Sequence, residues 1–253
     1  MSKKDRIGEE SINNFGSKMI IKEYRNATDI DVYFPEYNWI AKNKQYNNFK
    51  NGCVKCPYER RSYGIGYLGE GKYKVRENGK KTKCYKEWIQ MLQRCYDPKT
   101  QERQPTYKGC LVCEEWHNYQ NFASWHKEHR YKINERLHLD KDILFAGNKE
   151  YSSSKCLLVP QRLNMMFMNK SNNRGLPNGI AKYKSGYLAK YGGKELGIFL
   201  TVEEAYIEQT KKKKEAIEEL ANEYKNIIPK EVYDAVMAYE FRIENDKNYR
   251  KCF

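Results

Sequence analysis

The chain has 253 residues and a formal net charge of +14. This length suits two or three compact modules, and the charge excess indicates a polyanionic partner, most simply nucleic acid, whose phosphates Lys and Arg neutralise. No apolar run approaches the roughly 18 residues that span a bilayer. We therefore expect no membrane partner and a cytoplasmic protein whose eight Cys are reduced.

Residues 1–80 predict a small β-rich module. Residues 19–24 and 29–34 mix apolar and polar side chains in the manner of strands with one buried face. Residues 64–69 and 72–75 predict a further hairpin, in which repeated Gly provides turns and bends. No motif assigns chemistry to this module.

Residues 81–170 predict a second module that contains helices, a strand and a turn. The predicted elements are two helices, a strand and a third helix, at residues 84–96, 120–131, 137–144 and 155–168. Gly147 and Asn148 turn the chain after the strand. Ser153 or Ser154 is a suitable N-cap for the third helix, although Pro160 limits how much of it is regular.

Residues 175–253 predict a third module in which a small sheet precedes helices. The strands are expected at residues 180–183, 187–191 and 196–199. Thr201 and Glu204 have the spacing of a capping box, which predicts a helix from there to about Tyr224. A last helix is expected at residues 231–241.

The stretch from His138 to Lys190 resembles a junction that is common in bacteriophage proteins. It joins an HNH (ββα-metal) endonuclease motif to a DNA-binding domain of the ethylene-response-factor (AP2-like) type. The shared frame is a strand with Asp140-Lys141-Asp142, a Gly-Asn turn, a second short strand, an Asn-rich helix and a hairpin that begins Gly-Ile-Ala-Lys-Tyr. Together the three modules predict an α+β fold class: a β-rich N-terminal module, a central module with flanking helices that the resemblance identifies as ββα (HNH-like), and a C-terminal three-stranded sheet plus an amphipathic helix.

The resemblance also implies roles for the residues of the nuclease motif. Asp140 matches the metal-binding Asp, and Lys141 occupies the position of the His that deprotonates water. A lysine side chain is ordinarily protonated at neutral pH, so it is a poor base. Cys156 matches the second ligand, although a thiol is unsuited to Mg²⁺. Asn148 or Ser152 matches the central Asn that fixes the loop.

Substitutes for the lost groups lie nearby in the sequence. His138 shares a strand face with Asp140 and is a candidate base, and Asp140 with Asp142 is a candidate cation site. The candidate catalytic residues are therefore His138, Asp140, Lys141 and Asn148, and the candidate metal ligands are Asp140 and Asp142. We expect no resident cofactor, Mg²⁺ being required only if the nuclease is active.

Two C-x-x-C pairs, Cys53–Cys56 and Cys110–Cys113, raise the alternative of a structural zinc ion. Their separation is far from that of usual zinc knuckles, which argues against it. His126 and His129 are expected on a solvent-leaning helix face without a third ligand.

The third module interleaves basic and aromatic residues, and the resemblance implies that its sheet enters the major groove of double-stranded DNA. The candidate nucleic-acid-binding residues lie on the predicted strands, in their turns and in the preceding linker: Lys170, Arg174, Lys182, Tyr183, Lys184, Tyr187, Lys190 and Lys194. The dominance of Lys over Arg favours phosphate contacts over base reading. Tyr183 and Tyr187 are candidates for contacts with thymine methyls, and a merely solubilising Lys-rich face is the alternative.

Three hypotheses follow from these features. The first is a phage or prophage DNA-binding protein on an HNH-like scaffold with weak or absent nuclease activity. The second is an active metal-dependent HNH endonuclease of the homing type, or a nickase. The third is a phage-encoded interaction factor whose residues 1–80 bind a host defence or replication protein.

Overall fold

A computed structural model of the protein describes residues 6–250, and the fold class is α+β, as predicted. The chain packs as two compact units. The first unit comprises the described residues up to Asp97 together with Glu114–Ser124. The second comprises Pro98–Cys113 and the described residues from Trp125 onward. It contains the C-terminal sheet and the segment from Leu137 to Phe167, which we call the ββα region. Within residues 6–250, every helix is too short or too polar to cross a membrane.

The first unit is built on a four-stranded antiparallel sheet whose strands neighbour one another in chain order. These strands are β1 Glu10–Ile12, β2 Lys18–Asn26, β3 Asp29–Phe34 and β4 Trp39–Lys44. Met19 and Ile21 of β2 pack with Ile30 and Val32 of β3 in a core that excludes water completely at these four side chains. The short helix α1, Tyr46–Lys50, adds Phe49 to this core. The two strands predicted here are confirmed.

The hairpin predicted at residues 64–75 is wrong. The regular strands form later, as β5 Arg76–Glu77 and β6 Lys80–Lys81. The side chain of Gln120 instead accepts a hydrogen bond from the Tyr73 amide at 2.9 Å and donates to the carbonyls of Tyr73 and Leu68 at 3.1 and 3.5 Å. A distant side chain thus takes the place of a cross-strand partner, which sequence periodicity cannot reveal.

The first two helices after β6 are α2 Lys83–Tyr96 and α3 Pro98–Arg103. Helix α2 is confirmed within one residue. The Thr82 side chain caps it by accepting the Tyr85 amide at 3.2 Å, and its buried face carries residues at helical spacing: Trp88, Met91, Leu92 and Cys95.

Helix α4, Tyr119–His129, lies close to its predicted position, but the solvent-leaning placement of His126 is wrong. His126 is only 4% exposed. The exposed face of α4 carries Asn121, Ser124, Lys127 and Glu128, and His126 lies on the buried side of the helix with Phe122 and Ala123.

The central part of the second unit contains four short strands and a helix. Strand β7 Leu111–Val112 pairs in parallel with β9 Glu150–Tyr151, and β8 Leu137–Asp140 pairs antiparallel with β10 Leu157–Pro160. Helix α5, Gln161–Phe167, follows β10 directly.

The helix predicted at residues 155–168 is therefore wrong in its first half. Pro160 ends β10 and occupies the N-cap of α5 with a backbone φ of −52°. Inside a helix its ring would clash with the carbonyl four residues earlier, so the helix begins only after it. The apolar residues before Pro160 instead form a buried strand.

The C-terminal part of the second unit agrees with its prediction. The strands β11 Ile180–Tyr183, β12 Gly186–Tyr191 and β13 Lys194–Phe199 form one antiparallel sheet. Helices α6 Val202–Tyr224 and α7 Lys230–Ala238 follow.

The predicted capping box of α6 is confirmed. The Glu204 amide donates to the Thr201 hydroxyl at 3.2 Å, and the Glu204 carboxylate accepts from the Thr201 amide at 3.2 Å. Ala205 and Tyr206 pack against the sheet near the start of α6, whereas Ile217 and Ala221 pack with the core of the ββα region. One long helix thereby buries both parts of the second unit.

Candidate functional site

The antiparallel pairing of β8 with β10 determines on which strand face each residue of the predicted nuclease centre lies. Leu137 and Leu139 are buried on one face, and His138 and Asp140 lie together on the other. A side-chain nitrogen of Asn164, on α5, lies 3.3 Å from His138 Nδ1. The strand and the helix therefore bring His138 and Asn164 into contact, beside Asp140 on the same strand face.

Asp140 organises the turn that follows β8. Its Oδ1 accepts the backbone amides of Asp142 and Ile143, both at 2.8 Å. Burial raises the pKa of the Asp140 carboxyl to about 6, and the neighbouring Asp142 charge adds to this rise. One carboxylate oxygen of Asp140, the predicted metal ligand, is thus already hydrogen-bonded to the backbone of the turn.

Lys141, at the position of the missing base, is buried and is only 6% exposed. Its ammonium donates to Asp142 Oδ1 at 2.7 Å and to the backbone carbonyl of Asn148. A buried ammonium needs such acceptors to offset its lost hydration. Lys141 therefore acts as a hydrogen-bond donor that ties the turn together.

Asn148 holds the loop between β8 and β9. Its side-chain amide donates to the carbonyls of Lys141 and Glu150 at 2.8 and 2.7 Å, and its oxygen accepts the Glu150 amide at 3.0 Å. The side chain thus satisfies three backbone groups at once. This loop-fixing geometry is what the resemblance asks of the central Asn, and Asn148 provides it rather than Ser152.

The residue that sequence reasoning missed is Asn164. Cys156 was expected at the start of a helix, but it lies immediately before β10, and burial raises the pKa of its thiol above the ordinary range. Because α5 begins only at Gln161, the helical side chain next to His138 is Asn164. The available signal was Pro160, which fixes the first helical residue and hence the face that Asn164 occupies.

Among residues 6–250, no three His, Cys, Asp or Glu side chains lie close enough together to hold a metal ion. The Lys141 ammonium beside Asp142 would also repel a second cation.

Among residues 6–250, the two cysteine pairs belong to no cluster of three or more potential metal ligands. Burial raises the pKa of the Cys56 and Cys110 thiols. Cys53, in contrast, is exposed.

The three-stranded sheet separates the predicted nucleic-acid-binding residues onto two faces. Lys182 pairs with Tyr187 on the face that packs against α6, where Tyr187 joins the local core. Tyr183 pairs with Gly186 on the opposite face, which also carries Lys190. We call this opposite side the outer face; its members on the three strands are Ala181, Tyr183, Gly186, Leu188, Lys190, Glu195 and Ile198.

The charged residues lie at the margins of the outer face. Lys184 is exposed in the turn between β11 and β12, with a left-handed φ of 50°. Lys194 is exposed at the opposite end of the sheet, where β13 begins. The Lys190 ammonium lies 2.8 Å from Glu195 Oε1, so its charge is already paired on the sheet. Lys184 and Lys194 thus provide a cation at each end of the sheet, and the register pairs Lys194 with Tyr191 on the side that faces α6.

The linker that carries Lys170 and Arg174 is held in place by asparagines. The Asn178 and Asn248 side chains both donate to the Lys170 carbonyl, at 2.6 and 2.9 Å. Asn248 also accepts the Asn172 amide at 2.8 Å. No local sequence signal indicates that Asn248 takes part, because it lies far along the chain.

Comparison with known proteins adds no relative. No family model, curated protein or solved structure matches the chain significantly. The function is therefore inferred from the geometry of the described residues, together with the resemblance of the stretch from His138 to Lys190.

Proposed function

We propose that the protein binds double-stranded DNA through the outer face of its C-terminal sheet. The observation that carries this proposal is a sheet backed by α6 on one side, with exposed Tyr183, Lys190 and Ile198 on the other and the exposed cations Lys184 and Lys194 at its two ends. Three strands span about 10 Å across the sheet, which suits a major groove about 12 Å wide. Lys184 and Lys194 lie at opposite ends of β12, so in this proposal their phosphate contacts are about one strand length apart.

The net charge of +14 supports the same ligand. Lys170 and Arg174 add exposed cations on the linker that precedes the sheet, and the asparagine contacts give this linker a defined path. Lysines that contact phosphates position a protein without reading sequence, and they release counterions as they bind. With the resemblance to phage proteins, this ligand would place the protein in the cytoplasm of a bacterial host.

The proposal includes a ββα region that is a scaffold rather than a working nuclease. Lys141 donates where a base is needed, Asp140 accepts two backbone amides, and Asn148 is occupied with the loop. These contacts stabilise the loop after β8, and none of them supports a step of DNA cleavage.

A second candidate, a metal-dependent nuclease with a rearranged centre, rests on one observation. His138 contacts Asn164 of the following helix and shares a strand face with Asp140. A neutral imidazole can serve as a general base. This candidate predicts cleavage that depends on His138.

Fluorescence anisotropy with a labelled duplex of about three helical turns, roughly 30 base pairs, tests the proposed function. We expect saturable binding at low salt by the full chain, and weaker binding after Lys184→Ala/Lys194→Ala. Unchanged affinity in this double variant, with an intact fold by circular dichroism, would remove the outer face from DNA binding.

A further inference from the structure

We infer that the outer face reads the methyl groups of thymine, so that the protein prefers A·T-rich duplexes. This inference rests on the proposed function and adds the sequence class that the sheet selects. It follows from which side chains the strand register places outward.

The centre of the outer face is apolar. Ala181, Leu188 and Ile198 lie side by side across the three strands, as the register of both strand pairs shows. Tyr183 and Gly186 form the neighbouring row. Leu188, in the middle of the row, is only 8% exposed, so the apolar surface available to a ligand is formed by Ile198, 58% exposed, and Tyr183, 41% exposed.

Hydrogen-bonding readers are scarce on the same face. Guanine is read best by Arg or Lys through two hydrogen bonds, yet β11, β12 and β13 contain no Arg. Lys190 is paired with Glu195 at 2.8 Å, and one Arg174 guanidinium nitrogen donates to the Ile180 carbonyl at 3.3 Å. An apolar surface matches only one feature of the major-groove edges, the C5-methyl group of thymine.

Gly186 is buried at the start of β12, where the packing of the sheet leaves no room for a side chain. A Cβ at this position would lie 2.5 Å from the Phe199 carbonyl oxygen and 3.2 Å from Ile198 Cγ2. Tyr187, which the sequence suggested as a methyl contact, faces α6 instead.

The test compares the same duplex with thymine and with deoxyuridine, which lacks only the methyl group. We expect anisotropy titrations of the full chain to show binding about fourfold weaker for each thymine methyl that the protein no longer buries. Replacing cytosine by 5-methylcytosine in a G·C-rich duplex restores a methyl at the same groove position and should raise affinity. This second comparison separates methyl recognition from altered duplex shape.

Substitutions identify which residue of the protein contacts the thymine methyl groups. Ile198→Ala should bring the thymine-to-deoxyuridine affinity ratio close to one. Ile207→Ala is the matched control, because Ile207 is similarly exposed, at 65%, but lies on α6. It should leave the ratio unchanged.

The possible results distinguish between the thymine inference, its assignment to the outer face and DNA binding itself. Equal affinity for the two duplexes would overturn the thymine inference and leave DNA binding standing. A ratio that persists in Ile198→Ala would overturn the assignment to the outer face. No binding to any duplex at low salt would overturn the proposed function itself, and the inference with it.

Discussion

At the scale of single residues, the loop after β8 depends on polar side chains that bond to backbone. Asn148 bonds three backbone groups, and Asp140 accepts two amides. Backbone groups that lose such partners inside a protein cost more than the hydrogen bond itself contributes. These side chains therefore matter for folding whether or not the region performs chemistry.

Asn148→Ala should lower the free energy of unfolding by about 2 to 3 kcal/mol, because it removes three hydrogen bonds of roughly 1 kcal/mol each. Urea unfolding followed by circular dichroism measures this change. Asn226→Ala, at an exposed position between α6 and α7, is the control and should have little effect. A change below about 0.5 kcal/mol for Asn148→Ala, the usual range for a surface substitution, would show that the loop does not need this side chain.

Asp140 should make stability depend on pH in a direction unusual for a carboxyl group. Its pKa is raised from 3.8 to about 6, so the folded chain holds this proton more tightly than the unfolded chain does. The stabilisation is fully present below the unfolded pKa and is lost as the pH rises through about 6.

Asp140→Asn removes this titration and keeps an oxygen that can accept the two amides. The stability of the natural chain relative to the variant should therefore fall between about pH 4 and pH 7. Urea unfolding of both chains across this range checks the sign. A difference that is constant with pH would show that the carboxyl titrates normally.

At the scale of elements, β8, the loop after it and α5 position the residues on which the proposed absence of nuclease activity depends. Strand β8 and helix α5 bring His138 and Asn164 together, whereas the loop after β8 holds Lys141 in the fold. A nuclease needs a base and a cation at one phosphate. The described residues provide His138 as a candidate base and contain no cluster of three His, Cys, Asp or Glu side chains.

Supercoiled plasmid incubated with stoichiometric protein and Mg²⁺ or Mn²⁺ should therefore remain supercoiled on agarose gels. Nicking that requires the metal and disappears in His138→Ala would instead establish the rearranged nuclease. Lys211→Ala, on the exposed side of α6, is the control for non-specific effects of substitution.

At the scale of the whole molecule, the net positive charge should dominate the affinity for DNA. Four phosphate contacts, from Lys170, Arg174, Lys184 and Lys194, would give a slope of about −4 in log K against log[salt], at roughly 0.9 per contact. Lys190 is left out of this number because Glu195 already pairs with it.

Lys184→Ala/Lys194→Ala should flatten this slope by about 2 and weaken all sequences alike, since phosphate contacts carry no base information. Lys211→Ala/Lys225→Ala, which removes two exposed cations near α6, is the matched control and should leave the slope unchanged. Equal slopes for the two double variants would mean that the charge acts as a diffuse field rather than through the sheet.

Local sequence signals predicted the C-terminal part of the chain well. Strands β11 to β13, helix α6 and its capping box appear where alternation, Gly turns and the Thr201–Glu204 spacing indicate them. These signals involve residues close together in the chain. The same reasoning misplaced the hairpin at residues 64–75 and the start of α5, where a distant Gln120 and a proline determined the backbone.

The sequence by itself determined the α+β class, the positive charge and most helices and strands, because composition and short-range periodicity encode them. Only the tertiary structure decided which side chains meet. The register of β11 to β13 places Tyr187 on the face towards α6 and Ile198 on the outer face. The packing of α5 on β8 places Asn164 in contact with His138. Such choices depend on contacts between residues far apart in the chain, and a one-residue shift in register would have reversed every face.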